Sequence, residues 1–582
     1  MLRRTLAAIT AAVMITGLIG TAAQAHPAVP APDPLRGAVN LPPGGKVDFI
    51  IGQDADTVAA FDDAVLDVDP RFPRPAGVSL FTSLNGLTPL NGIWSPVDYG
   101  VGTADAEEML SAHRGAVTVG VEMIDYSQNL GSPARNLTAR AIAGADGVPA
   151  ETVERYRAWV DDLIRWADAS RREVFLKLGY EFDGHWNAYD PESYTAAFRY
   201  VAQRIDELGA DRVATVWQSA SWAGAIPDGH LLDAADYRAA EAVVDGRSTE
   251  FWDRWYPGDD AVDWVGISQF ATGSFDREGG PWSCDRDGVD STVASPRAVQ
   301  EAMLDYARAH GKPAMIAEAA PQGYDLGELT TSCIFASGSP APYEKRTTVT
   351  VDEVWDEWFA PTFAFVRQHR DVIRSLTYIN TDWDSQSRWA CTGAGACASG
   401  YWGDSRLQAN EEILDRVGAE LRDRGVWTRG AWASWRFESA DLSQGVGVEE
   451  AEYGEADTWL DCCGLGGLPQ TNPAASNGRE VMVMNFGDGG SGTYGVDFEQ
   501  VGRGDEIRVR LGSLPEGEGA DATFSVLVDG RRVARQPVPR TGAGVYEEIV
   551  IDARTRPWST VRVQLDPNDG GQLMWLDRIV VG

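Results

Sequence analysis

Short apolar runs recur along the chain from Val47 to about Arg424, and stretches with a helical pattern separate them. Each run is rich in Val, Ile, Leu and Ala and ends at polar residues, which is typical of strands covered on both faces. Eight such runs stand out, at residues 47–51, 78–81, 117–121, 174–178, 213–217, 264–267, 314–317 and 373–379. The pattern predicts a parallel sheet built from alternating strands and helices.

The clearest helical patterns flank the fourth run. Apolar residues recur at helical spacing on both sides of it, at Val153, Tyr156, Val160, Leu163 and Ile164 before it and at Tyr194, Phe198, Val201, Ile205 and Leu208 after it. Strand and helix alternating eight times is the signature of a (β/α)8 TIM barrel, which we predict over residues 46–424. An open doubly wound sheet is the alternative, but no Gly-rich phosphate loop follows the first run.

The helical pattern fades beyond residue 424, and short alternating segments lie between Gly, Pro and Asp clusters from Val446 onward. Asp529 followed by Gly530 is a hairpin-turn signal. We predict an all-β sandwich over residues 446–582, joined to the barrel by a connector at residues 425–445. Its predicted strands cover residues 481–486, 507–511, 524–528, 549–551, 561–565 and 575–581.

The N-terminal segment has an export pattern. Two arginines precede an apolar stretch that ends in small residues suited to cleavage after Ala25. We therefore expect residues 1–25 to be a signal peptide, His26 to be the mature N-terminus and the protein to be secreted. Residues 26–45 are rich in Pro, Ala and Gly, which predicts a linker or an extended arm.

Charge restricts the possible partners. The 50 basic and 86 acidic residues give a net charge of -36, which disfavours phosphate backbones and anionic membrane surfaces. We expect no nucleic-acid partner, no membrane span in the mature protein, and a monomer that takes neutral ligands. The six histidines show no zinc-ligand spacing, so we expect no cofactor for catalysis.

The six cysteines are an even number in a chain expected to be exported, which suggests disulfides. Cys391 and Cys397 could close a small loop, and Cys284 and Cys333 a longer one. The remaining two, Cys462 and Cys463, are adjacent.

Two glutamates follow predicted strands at positions suited to catalysis. Glu181 comes just beyond the fourth run, and Glu318 lies at the exit of the seventh. In a barrel both would face one pocket, because the loops at the C-terminal ends of the strands converge. Glycoside hydrolysis needs one protonated carboxyl for the leaving oxygen and one carboxylate to attack the anomeric carbon. A capping or salt-bridging role is the alternative for either glutamate.

Other residues near this pair could bind sugar, because aromatic faces stack on sugar rings and polar side chains bond hydroxyls. Next to Glu181 the candidates are Tyr180, Asp183, Trp186 and Asn187. Further along the chain they are Trp217, Gln218, Trp222, Trp255, Tyr256, Trp383, Trp389 and Trp402. Several of the aromatic residues could instead be core, and the loop tryptophans Trp186 and Trp383 are the better candidates.

The chain resembles glycoside hydrolase family 26, within the large clan of retaining (β/α)8 glycosidases. The motifs, in order, are GQD at 52–54, LGYEFD at 178–183, WYPGD at 255–259, VDWVGIS at 262–268 and IAE at 316–318. The resemblance implies that Glu181 is the acid/base and Glu318 the nucleophile. Mannan-cleaving members usually have a histidine before the acid/base, whereas Tyr180 stands there in this chain. That departure is closer to the pattern of β-1,3-xylan-cleaving relatives.

The C-terminal part resembles carbohydrate-binding modules of families 6 and 35, through VEEAE at 448–452 and WLDRI at 575–579. In such modules the first and last strands supply acidic ligands to a structural calcium ion, so the resemblance implies Glu450, Glu452 and Asp577 as candidate ligands. A solvated acidic strand edge is the alternative. Trp459 is a candidate sugar platform.

Together these features predict a secreted retaining glycoside hydrolase. We expect endo-acting cleavage of a neutral β-linked polysaccharide, β-1,3-xylan or a related xylan- or mannan-type glycan, with help from an appended binding module. One alternative is a carbohydrate-binding protein that has lost catalysis. Another is a transglycosylase with the same residues, in which a sugar intercepts the intermediate in place of water.

Overall fold

The structure is a computed structural model. It describes residues 35, 37–66, 68–69, 72–86, 89–113, 115–129, 132–184, 186–221, 249–270, 296–332, 346–391, 401–430, 433–436, 456–461, 482–486, 493–498, 504, 506–513, 523–541, 547–556, 559–566 and 572–581.

Eight parallel strands close into a barrel, which confirms the predicted fold class. Consecutive strands are neighbours in the barrel, and the last pairs with the first. Several strands are buried along their whole length, which explains why the sequence shows continuous apolar runs. The strands are β1 (Asp48–Gly52), β2 (Gly77–Ser83), β3 (Ala116–Glu122), β4 (Val174–Leu178), β5 (Val213–Ser219), β6 (Trp264–Gln269), β7 (Ala314–Ala319) and β8 (Ile373–Ile379).

Helices lie between the strands. They are α1 (Ala55–Phe61), α2 (Ala106–Ala112), α3 (Leu137–Ala143), α4 (Ala150–Ala169), α5 (Pro191–Leu208), α6 (Glu250–Trp255), α7 (Pro296–Ala309), α8 (Val351–Val354), α9 (Ala360–Gln368) and α10 (Glu411–Leu421). A π-helical turn, Trp355–Phe359, joins α8 to α9. The predicted apolar faces of α4 and α5 are buried except at Val153 and Leu208, which are partly buried, and α5 ends at Gly209 in the left-handed conformation.

The N-terminal end of the barrel is closed by residues that the sequence predicts as an arm. The Trp264 indole donates to the Val39 carbonyl oxygen at 2.8 Å. The Asn40 amide donates to the carbonyl oxygens of Val174 and Arg212, at 3.1 and 2.8 Å. Because these partners lie at or just before the first residues of β4 to β6, the described part of the arm packs onto that end of the barrel.

The C-terminal part contains two five-stranded sheets around one apolar cluster, which forms the predicted sandwich. Its strands are β9 (Ala433–Arg436), β10 (Ala456–Asp461), β11 (Met482–Phe486), β12 (Thr493–Phe498), β13 (Glu506–Gly512), β14 (Thr523–Val528), β15 (Arg531–Pro537), β16 (Glu547–Asp552), β17 (Val561–Leu565) and β18 (Gln572–Val581). One sheet has the order β9-β18-β13-β16, with β11 also on β18, and the other has the order β10-β12-β17-β14-β15. β9 lies within the predicted connector and pairs with β18.

The sandwich contacts the barrel near the N-terminal ends of the strands. Lys46 Nζ lies 3.3 Å from Glu506 Oε2, and Arg508 Nη2 donates to the Arg429 carbonyl oxygen at 2.8 Å. Beside them Asp48, the first residue of β1, is buried and accepts a hydrogen bond from the Thr428 hydroxyl. Burial raises the pKa of Asp48 to about 7. The two parts therefore share a partly buried, charged interface.

Most of the residues named in the predictions about calcium and disulfides lie outside the described ranges. No helix in the described ranges is long and apolar enough to span a membrane. Cys391 is buried and disulfide-bonded, but the other five cysteines lie outside those ranges, so the pairings stay predictions. Glu450 and Glu452 lie outside as well, and of Asp577 only the backbone of β18 is described. The calcium site therefore also stays a prediction.

Candidate active site

The chain turns sharply at the C-terminal end of β4. Gly179 has φ 53° and Glu181 has φ 51°, both in the left-handed region. A Cβ atom on Gly179 would lie 2.6 Å from Cε2 of Tyr194, so only glycine fits there. A left-handed glutamate is a sparsely populated conformation that the surroundings must hold in place. The turn places the Glu181 carboxyl at the barrel mouth.

The side chain of Asn187 holds this turn through hydrogen bonds. Its Nδ2 donates to the carbonyl oxygens of Tyr180 and Glu181, at 3.0 and 2.9 Å, and its Oδ1 accepts from the Tyr126 hydroxyl at 2.5 Å. The side chain is fully buried. Arg135 in turn donates to the Asn187 carbonyl oxygen at 3.0 Å. The sequence predicts Asn187 as a sugar ligand, but in the structure its amide holds the turn that carries Glu181.

The Glu181 carboxyl accepts two hydrogen bonds. Ser268 Oγ donates to Oε1 at 2.8 Å, and Trp186 Nε1 donates to Oε2 at 3.0 Å. Burial and then the charge of Glu318 raise the pKa of Glu181 to about 8, against the lowering effect of the Ser268 bond. Both causes favour the protonated form of Glu181.

Glu318 lies within β7, one residue before its end, and has a buried cation beside it. Lys177 on β4 is 1% exposed, and its Nζ donates to Glu318 Oε1 at 3.0 Å and to the Ala317 carbonyl oxygen at 3.4 Å. A buried ammonium needs a paired anion, because desolvation otherwise makes the charge very costly. Lys177 thus supplies a positive charge directly beside the Glu318 carboxyl.

Ser268 shows how the barrel brings the two glutamates together. Its backbone is the register partner of Glu318 across the β6–β7 pairing, while its hydroxyl bonds Glu181. Gln218 on β5 donates to the same hydroxyl at 3.1 Å. Predicted as a sugar ligand, Gln218 is fully buried and instead orients Ser268. Lys177 and Ser268 were not identified from the sequence.

Asp183 lies two residues beyond Glu181 and binds the exit of β5. It accepts from Ser219 Oγ at 2.5 Å and from the Ala220 amide at 2.7 Å. Burial raises its pKa to about 6. Its charge is one of the causes that raise the pKa of Glu181, so Asp183 influences the acid electrostatically.

A third buried carboxyl, Glu122, ends β3 close to this site. Its Oε1 accepts from Ser83 Oγ at 3.2 Å and from Asn85 Nδ2 at 3.4 Å. Burial raises its pKa to about 7. Charges on Glu122 and Glu318 both raise the pKa of Tyr180, which burial has already raised well above its usual range. The only signal for Glu122 in the sequence is its place at the end of an apolar run.

Several predicted sugar platforms are core residues. Trp217 is fully buried and stacks on Phe182, with ring centroids 4.5 Å apart, and Trp255 packs on Phe182 and Tyr194. Tyr256 is 9% exposed and packs between Trp217 and Tyr306. These rings fill the space between β5 and the helices, which favours a packing role over the predicted contact with substrate.

Other predicted platforms lie at or near the mouth. Trp186 is partly buried and bonds Glu181, while Trp383 is 2% exposed and donates through Nε1 to Ser405 Oγ. Trp389 and Trp402 are partly buried and pack on Trp383, with ring centroids 5.7 and 4.7 Å from it. Trp383 is thus the base of an aromatic wall, whose partly exposed members are Trp389 and Trp402. Trp222 lies outside the described residues.

Among solved structures the chain is similar to a modular endo-β-1,4-mannanase from Cellulomonas fimi, at a TM-score of 0.37 and 13% identity, with 91% of this chain and 93% of the mannanase covered. It is also similar to a β-mannanase of glycoside hydrolase family 26 from Bacteroides ovatus, at a TM-score of 0.35 and 13% identity, with 66% and 91% covered. Likenesses this weak carry no argument about function. No protein-family model matches the chain.

Curated sequences are more similar. The chain is 35% identical over 385 residues to the β-1,3-xylanase TXYA of a Vibrio species, which covers 66% of this chain and 66% of the relative. It is 34% identical over 370 residues to a β-1,3-xylanase of an Alcaligenes species, which covers 63% and 62%. The chain thus spans slightly less than two thirds of each relative. Sequence similarity therefore relates this chain to curated β-1,3-xylanases.

Proposed function

We propose that the chain is a retaining, endo-acting glycoside hydrolase that cleaves β-1,3-xylan, with Glu181 as acid/base and Glu318 as nucleophile. One observation carries the proposal: two glutamates at one barrel mouth have opposite environments. Glu181 is buried with a pKa raised to about 8, while Glu318 is paired with the buried Lys177 ammonium. Two-carboxylate glycosidases need such a difference between a carboxyl that favours its proton and a carboxyl that has a cation beside it.

In the first step the Glu318 carboxylate attacks the anomeric carbon and forms a glycosyl ester. The bond from that carbon to the leaving oxygen breaks, and the Glu181 proton goes to that oxygen. In the second step Glu181, now a carboxylate, takes a proton from water as the water oxygen attacks the same carbon and releases Glu318. Two displacements return the anomeric carbon to its original configuration.

The substrate class rests on three observations. The two curated relatives are named β-1,3-xylanases. Tyr180 precedes the acid/base, which matches the pattern of β-1,3-xylan-cleaving relatives. The net charge of -36 favours a neutral polymer over an acidic one. We also propose that the protein is secreted and that the sandwich binds the polysaccharide and holds calcium through Glu450, Glu452 and Asp577.

The test is a panel of soluble and insoluble polysaccharides, comprising β-1,3-xylan, β-1,4-xylan, β-mannan and β-glucans, with product sizes and anomeric configuration followed over time. We expect oligosaccharides of retained configuration from β-1,3-xylan. Glu318→Ala should abolish turnover, and azide should partly restore it by occupying the vacated space. Glu412→Ala, on the exposed face of α10, is the matched control and should remain active. Inverted products, or an active Glu318→Ala variant, would contradict the mechanism.

A further inference from the structure

Two aromatic side chains are exposed on one loop of the barrel. Among the described residues the large hydrophobic side chains that are exposed are Val68, Trp94, Tyr99 and Val533. Trp94 is 59% exposed and Tyr99 is 39% exposed, and both lie between β2 and α2. Exposed rings are normal when scattered, but two on one loop beside a binding site mark a surface that gains free energy when a ligand covers it.

The loop lies at the C-terminal end of β2, the end of the barrel that also holds Glu181 and Glu318. Thr82 Oγ1 donates to the Asn91 carbonyl oxygen at 2.8 Å, and the Leu90 amide donates to the Ser83 carbonyl oxygen at 2.8 Å. Since all eight strands are parallel, their C-terminal ends form one rim. The two rings therefore belong to the same rim as the catalytic pair.

The loop is fixed at its far end. The Arg388 amide donates to the Gly100 carbonyl oxygen at 2.9 Å, and the Thr103 amide donates to Asp54 Oδ1 at 3.1 Å. Gly100 has φ 84°, and a Cβ atom there would lie 2.6 Å from Ser387 Oγ, so the loop fits closely against the segment after β8. A loop held on both sides presents its rings in one arrangement, which reduces the entropy lost on binding.

An aromatic path connects this loop to the acid/base. The ring of Tyr99 lies 6.2 Å from that of Phe81 on β2. Phe81 and Tyr180 meet over Gly120, where an added Cβ would lie 3.5 Å from Phe81 Cβ and 3.4 Å from Tyr180 Cδ1. Tyr180 directly precedes Glu181. The ring of Tyr99 thus leads from the exposed loop toward the turn that carries Glu181.

We propose that Trp94 and Tyr99 form a remote sugar-binding subsite, on which a neutral β-linked glycan stacks while a distant bond of the same chain lies between Glu181 and Glu318. The proposal deepens the proposed function and rests on it for the identity of the glycan. The occupant is the substrate polymer, because both rings lie on the rim that holds Glu181 and Glu318, and Tyr99 packs on Phe81, which lies beside Tyr180. An acidic glycan fits poorly, since the loop carries the exposed Asp98 and leads into α2, whose first turn holds Glu107 and Glu108.

The test compares Trp94→Ala and Tyr99→Ala with the unchanged full chain, on a disaccharide and on longer β-1,3-xylo-oligosaccharides. Hydrolysis is measured as kcat/KM. Binding is measured by calorimetry in chains that also carry Glu318→Ala, so that the ligand stays intact. For the longer oligosaccharides each variant should lose roughly 2- to 10-fold in both measurements, the range expected for one aromatic contact. Values for the disaccharide should not change.

Conservative variants and a control separate stacking from distortion. Tyr99→Phe and Trp94→Phe keep a ring and should recover most of the loss. Val68→Ala removes an exposed apolar side chain of the barrel outside this loop and should change nothing. An unchanged affinity for the longer oligosaccharides, or equal losses at every length, would overturn the subsite. If the chain hydrolyses no oligosaccharide, the proposed function fails, but the binding measurements still decide on the subsite.

Discussion

Replacing Ser268 by alanine should move the alkaline limb of the activity profile to higher pH. The alkaline limb reports the loss of the proton that Glu181 gives to the leaving oxygen. Ser268 Oγ donates to Glu181 Oε1 at 2.8 Å, and this bond lowers the pKa because it favours the carboxylate. Without the donor the carboxylate is less stable, so Glu181 should hold its proton to higher pH.

The size of the effect follows from the strength of the bond. Hydrogen bonds to charged groups contribute about 1.5 to 3 kcal/mol. A difference of one in pKa corresponds to about 1.4 kcal/mol. The limb should therefore move upward by about one to two pH units from the pKa of about 8 that Glu181 has in the unchanged chain.

The assay is kcat/KM against pH for the unchanged chain, Ser268→Ala and Ser268→Thr, each on a substrate with a poor leaving group. Ser268→Thr keeps a hydroxyl and is the matched control, whose limb should stay near that of the unchanged chain. Thermal unfolding checks the fold, because the buried Gln218 amide loses its acceptor in Ser268→Ala. A limb that stays in place or moves to lower pH would show that Ser268 does not bond the ionised acid, or that Glu181 is not the acid.

Four further predictions follow from the same contacts. Asp183→Asn should move the alkaline limb to lower pH, because the charge of Asp183 raises the pKa of Glu181; an upward movement would contradict this. Burial raises the pKa of Asp48 from 3.8 to about 7, so the stability that Asp48 contributes is full below about pH 4 and is lost as the pH rises through about 7. The unfolding temperature should therefore fall across that pH range, and Asp48→Asn should make the fall shallower. An unchanged slope would mean that other groups cause the fall. Removing residues 431–582 should lower the unfolding temperature and the activity on insoluble polymer, but it should leave kcat on short oligosaccharides unchanged. A large fall in that kcat would mean that the sandwich helps to build the active site. A chelator should lower the unfolding temperature of the sandwich if it holds calcium, and no change would favour the solvated acidic edge.

The barrel could be predicted because its strands are buried on both faces. β4 and β8 match their predicted bounds, Val174–Leu178 and Ile373–Ile379. β5 extends two residues further than predicted, because Gln218 and Ser219 are polar although both are fully buried. A buried polar residue at a strand end bonds groups on neighbouring strands. The sequence of one strand does not show which groups those are, so the end of the strand cannot be predicted from it.

The strands of the sandwich were harder to predict, because some of them are exposed and show no apolar run. β15, Arg531–Pro537, has exposed residues along most of its length and reads as a polar segment. It pairs with β14 at one edge of its sheet, where pairing does not require an apolar face. Strands β10 and β12 were also missed, and β9 falls in the predicted connector.

The two glutamates could be found from the sequence, but the neighbouring groups that give them different electrostatic environments could not. Glu181 and Glu318 each follow an apolar run, a pattern that is visible in one dimension. Lys177 and Ser268 act across strands, so their roles depend on the register of β4, β6 and β7. The charged residue inside the run VFLKL was the available signal for a buried partner. The burial of Trp217 was not predicted, because sequence alone does not distinguish a buried aromatic ring from a ring at the mouth.

The position of the sandwich explains why its removal should leave the catalytic chemistry intact. The described contacts between the two parts, such as those between Lys46 and Glu506 and between Arg508 and Arg429, lie near the N-terminal ends of the strands, where Val47 pairs with Trp427. The catalytic glutamates lie at the opposite ends. A strand of six residues, such as β7, is about 20 Å long at about 3.3 Å per residue. Charges at that distance are largely screened in physiological salt, so these contacts can stabilise the barrel and tether the sandwich without altering the proton affinity of Glu181.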